Sequence, residues 1–150
     1  MSVNNRLRDN VERWLIHENY RFKDIKNDEN TFCLRVKDVG SFGIPIEIFE
    51  PKKQLGVLVI GGKVFFKNRQ TARYNNLTDS EREKFHNSVK DYCDSIQVIH
   101  KIFKEDGKVT IGVYVVLDKV ERFTQEMVLN SIGNVIEMGE KTSRFVFKTF

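Results

Sequence analysis

The side chains able to act as acids, bases, nucleophiles or metal ligands are thinly spread along this 150-residue chain. Its three histidines, His17, His86 and His100, stand far apart, and neither a His-x-x-x-His nor a Cys-x-x-Cys pair occurs. The spacing that builds a zinc site is therefore missing. Cys33 falls in a strand-like run and Cys93 on a helical apolar stripe, which suits two small buried hydrophobes. Cys93 could pair with His86 or His100 as nucleophile and base only if folding brought them together, and nothing in their spacing argues for it. Glu47, Glu50, Asp118 and Glu121 lie near strand ends and read as solvated surface. The run Gly56–Lys63 comes near a phosphate loop, but Gly62 stands before the lysine and Val64 after it, so the spacing fails. No catalytic residue, cofactor site or metal site is expected.

Charge is less even. Between Pro51 and Thr78 there is no Asp or Glu, while Lys52, Lys53, Lys63, Lys67, Arg69 and Arg73 supply six positives. Phe66 and Tyr74 are interleaved with them. One reading is an anion or partner site, with phosphates on the cations and bases on the rings. The other is a solvated connection whose rings belong to the core. Both stay open on the sequence alone.

A mass of 17.6 kDa fits a single domain over residues 1–150. The hydrophobic share is 40% and the charged share 31%, which excludes a disordered chain and a membrane chain. At this length folding buries roughly 70% of the unfolded surface. The opening residues lack the apolar stretch of a signal peptide, and the longest apolar runs are strand-sized. A cytoplasmic setting is the expectation.

Periodicity supplies the elements. Val3, Leu7, Val11, Trp14 and Leu15 form one stripe of a helix over residues 3–18. Phe32, Leu34 and Val36 alternate with Cys33 and Arg35 as in a half-buried strand, which Gly40-Ser41 closes. A second strand runs from Phe42 through Ile48, and Pro45 suggests that it lies at an edge or turns its prolyl nitrogen away from a partner. Leu55–Ile60 reads as central, and Gly61-Gly62 as a tight turn into a short strand at Val64–Phe66. Thr78-Asp79-Ser80-Glu81 is a capping box, followed by the stripe Phe85, Val89, Tyr92, Cys93 and Ile96. Val98–Phe103 and Val109–Leu117 form a hairpin around Asp106-Gly107. Thr124 caps a last helix striped by Val128, Ile132, Val135 and Ile136. Residues 143–150 fit either its continuation or a final strand. The class is α+β: a mostly antiparallel sheet of five to six strands with three helices, in the order α-β-β-β(-β)-α-β-β-α.

This order resembles the type III secretion chaperone-like fold and its YbjN-like bacterial and archaeal relatives. The opening helix with Val11, Trp14 and Leu15 carries the resemblance, with the strands Phe32–Ile60, the Thr78–Ile96 helix, the hairpin and the helix at Thr124. It implies a dimeric module that holds extended segments of partner proteins and has no catalytic residues. The expected function is therefore non-enzymatic binding of a partner polypeptide by a homodimer, either at an open sheet edge or in an apolar groove. The alternative is binding of RNA or single-stranded DNA through the basic segment 52–74.

Overall fold

Alternation along the strands decides the architecture. The computed structural model describes residues 5–37, 43–95, 99–105, 107–118 and 123–150. In chain order these form α1 (Asn5–His17), β1 (Arg21–Asp24), β2 (Asn30–Lys37), β3 (Ile46–Pro51), β4 (Leu58–Phe65), α2 (Asn68–Asn75), α3 (Asp79–Ser95), β5 (Ile99–Glu105), β6 (Lys108–Leu117) and α4 (Gln125–Thr149). The strands make one six-stranded sheet in the order β1-β2-β3-β4-β6-β5, with every neighbouring pair antiparallel. The α+β class holds, with four helices where three were expected.

Every second strand residue faces the helices. Leu34, Ile48, Ile60 and Val115 lie side by side in register, as do Val36 and Ile46. These side chains join Val11 and Leu15 of α1, Phe85 and Val89 of α3 and Ile132 and Val135 of α4 in one core. Each large apolar side chain fully buried there stabilises the fold by about 1.5–3 kcal/mol. Both expected caps form. The Thr78 amide donates to Glu81 Oε1 at 2.8 Å, and the Glu81 amide donates to Thr78 Oγ1 at 3.2 Å. The Met127 amide donates to Thr124 Oγ1 at 3.1 Å.

Two local expectations change, and two that the sequence left open are decided. Gly61-Gly62 is not a turn: β4 runs unbroken through it, because Tyr114 of the neighbouring strand lies where a Cβ of Gly61 would stand, 2.6 Å from its Cδ1. The short strand expected at Val64–Phe66 is thus the end of β4. Pro45 does not mark an edge. It precedes β3, which is paired on both sides, and its carbonyl accepts from the Lys63 amide at 3.3 Å. Residues 143–149 continue α4, and Gly139 does not end that helix. A Cβ at Gly139 would stand 2.9 Å from Ile44 Cδ1, so the glycine lets the helix approach the chain ahead of β3. Val3, Gly40, Ser41, Phe42, Ile96, Val98, Asp106 and Glu121 lie outside the described residues. Among the described residues no helix is long and apolar enough to cross a membrane.

Candidate functional site

The six cations of the basic segment do not converge. Lys52 and Lys53 are exposed in the loop between β3 and β4, while Lys67 lies just past the other end of β4. A strand of that length holds the two ends roughly 20 Å or more apart, at ~3.4 Å per residue. Arg69 is exposed on α2, and Arg73 donates to the main-chain oxygen of Phe150. The two rings assigned to the segment are core residues. Phe66 is 0% exposed and Tyr74 7%, packed edge to face at 6.0 Å between centroids. Neither ring is open for stacking on a ligand, and for these two the structure follows the core reading.

Two of the cations meet others that the sequence did not connect with them. A cleft of about 550 Å³ opens where the end of β4, the start of α2 and the last turns of α4 come together. That volume is within the range of small-ligand and anchor-residue pockets. Ile44, Pro45, Val64, Phe65, Val146 and Phe147 supply its apolar wall. Phe147 is 71% exposed, an unusual state for a ring on a helix that buries its other face. Lys63, Lys67, Arg144 and Lys148 supply the charge, and among the described residues no carboxylate lines the cleft. The α4 contributors were hidden because residues 143–150 fitted two conformations. Only the helical one, at spacings of three and four, turns Arg144, Phe147 and Lys148 to a common side.

Lys63 is held in place. Its Nζ lies 3.1 Å from Glu105 Oε1 and 3.6 Å from Glu47 Oε1, and Arg35 Nη2 meets Glu47 Oε2 at 2.8 Å. Burial works against the Lys63 charge, but the hydrogen bond it donates to Glu105 and the field of Glu47 outweigh it, so its pKa is raised. Glu47 is thus not free surface. Glu50 is still further from it. It is 3% exposed, accepts from Thr31 Oγ1 at 2.6 Å and from the Gly56 amide at 2.8 Å, and so pins the loop that carries Lys52 and Lys53.

The remaining candidates stay apart. Both cysteines are buried, and desolvation pushes Cys33 up to about 12 and Cys93 up to about 11, far from a thiolate at neutral pH. His86 Nε2 lies 2.6 Å from the Tyr74 hydroxyl, His17 meets Gln125, and His100 is half-buried on β5. Among the described residues no three His, Cys, Asp or Glu side chains gather as metal ligands would.

The chain belongs to the family described as Uncharacterized conserved protein (DUF2299), which matches it over residues 7–146. Its fold is similar to the crystal structure of an uncharacterized protein from Methanothermobacter thermautotrophicus, at 14% identity and a TM-score of 0.77, covering 95% of this chain and 98% of that one. It is also similar to a chain of the ExsC–ExsE complex, at 10% identity and a TM-score of 0.61, covering 97% of each. A third similar structure is YbjN, a putative transcription regulator from E. coli, at 12% identity and a TM-score of 0.55, covering 91% of each chain. The comparison with curated proteins finds no match. The resemblance read from element order therefore holds at the level of fold.

Proposed function

We propose that this DUF2299 protein is a non-enzymatic binding module that holds an extended partner polypeptide in the cationic cleft. The observation that carries the reading is the cleft's composition among the described residues: apolar walls, four cations and no carboxylate. An apolar side chain of the partner supplies the anchor, and acidic neighbours meet the cations and speed encounter. A chain of the same fold found in the ExsC–ExsE complex supports a protein as the partner class. The burial of Phe66 and Tyr74 weighs against the basic segment as a stacking site for nucleic acid.

A labelled peptide with acidic residues around a central Leu or Phe tests this by fluorescence anisotropy. Lys67→Glu with Lys148→Glu is expected to weaken binding by roughly tenfold or more, and Phe147→Asp by a similar factor. Equal binding of a basic peptide, or no binding at low salt, sinks the reading. A homodimer is part of it, and sedimentation equilibrium that finds only monomer removes the dimer while leaving the cleft untouched.

A further inference from the structure

The sheet face turned away from the helices carries no helix among the described residues, and although Cys33, Val59 and Thr110 on it are buried, the rest of its make-up is distinctive. Register sets Lys23, Arg35, Glu47, Gly61, Tyr114 and Ile99 in one row across all six strands. Adjoining rows on the same face add Arg21, Lys37, Lys63, Lys101 and Lys108, with Glu105 as the second carboxylate. Seven cations thus share the face with two carboxylates. Both carboxylates are engaged, Glu47 by Arg35 and Lys63, and Glu105 by Lys63. Arg21, Lys23, Lys37, Lys101 and Lys108 have no ion-pair partner among the described residues.

At the centre lies a ring laid flat. A Cβ on Gly112 would come within 2.2 Å of the Tyr114 hydroxyl oxygen, and one on Gly61 within 2.6 Å of Cδ1. Two glycines on neighbouring strands thus clear a floor for the ring, which lies over them half-buried. Phe103 stands on the same face, with Lys101 Nζ 5.9 Å from its centroid. Rings among cations without ion-pair partners suit unstacked bases and their phosphates. A duplex does not fit: five interstrand spacings of ~4.8 Å make the sheet roughly 24 Å wide, about twice the ~12 Å major groove. An acidic polypeptide satisfies the cations but brings no plane to Tyr114.

We propose that this open face binds single-stranded nucleic acid regardless of sequence, with phosphates on the unpaired cations and bases stacked on Tyr114 and Phe103. The test is anisotropy of the intact protein with a labelled oligouridylate long enough to cross the sheet. Five phosphate contacts predict a slope of log K on log salt of about −3.5, at ~0.7 per contact on a single strand. Lys23→Ala, Lys37→Ala, Lys101→Ala and Lys108→Ala together are expected to weaken binding by roughly 100-fold at low salt and to flatten that slope. Phe103→Ala and Tyr114→Leu each cost roughly tenfold, while Tyr114→Phe keeps the affinity. Oligothymidylate binds within a few-fold, because neither contact type reads the 2′-hydroxyl. Lys52→Ala with Lys53→Ala, on a distant loop, leaves binding in place, and thermal unfolding confirms that each variant is folded. The proposal falls if no binding is seen at low salt, if the loop variant weakens it as much as the face variant, or if duplex is preferred. Tighter binding of an acidic peptide or of phosphatidylserine vesicles through these same lysines overturns it as well.

Discussion

One sheet presents two faces built from alternating residues of the same strands. Towards the helices, Leu34, Ile48, Ile60 and Ile111 are wholly buried in a dry core. On the other side, the residues between them include Arg35, Glu47, Lys63 and the glycines under Tyr114. A step of one residue separates a position that stabilises the fold from one free to contact a ligand. Stability and recognition can therefore vary independently along a single strand.

The largest effect should come from emptying the covered face. Ile60→Ala is expected to cost about 2–5 kcal/mol in urea unfolding, while Lys101→Ala on the open face shifts stability by less than about 0.5 kcal/mol. Similar costs at the two positions would erase the distinction. Next comes the charged row of Arg35, Glu47, Lys63 and Glu105, which is partly buried. Lys63→Met strands Glu105 and leaves Glu47 with Arg35 alone, and should cost about 2 kcal/mol, less than a fully buried pair because the row is partly hydrated. Because the Lys63 pKa is raised in the folded state, its stabilisation is complete below the ordinary lysine value of 10.5 and fades as pH rises through the folded value. Unfolding measured across alkaline pH should lose that decline in Lys63→Met. The smallest effect sharpens the contrast at the glycine floor. Gly112→Ala should lift the Tyr114 ring and cost about 1–2 kcal/mol. In a Tyr114→Ala background most of that cost should vanish, a coupling of about 1 kcal/mol in a double-mutant cycle.

The covered face was legible because burial writes itself as period-2 alternation, in Phe32, Leu34 and Val36 and again in Val109 through Leu117. α1, α3 and α4 carried apolar stripes and two carried readable caps. β1 escaped because four residues, mostly charged, give alternation no room. α2 escaped for a related reason: its eight mostly polar residues bury only Thr71 and Tyr74. The glycine pair misled because Gly61 makes room for Tyr114, some fifty residues away in the chain, and Gly62 for Val135 of α4, and local turn chemistry cannot see across a sheet. The cleft was half visible. Lys63 and Lys67 stood in the basic segment, but Arg144, Phe147 and Lys148 join them only through the docking of α4.

β1 and β5, the two outermost strands, have a consequence beyond this molecule's own surface. Each leaves one side of its backbone without a neighbouring strand, and such rims are where chains zip together into fibrils. β1 is brief and carries Arg21 and Lys23, while β5 sets Lys101 and Lys104 along its length. A copy arriving rim to rim would meet like charge before its amides could pair, which is how edge lysines and arginines oppose such association.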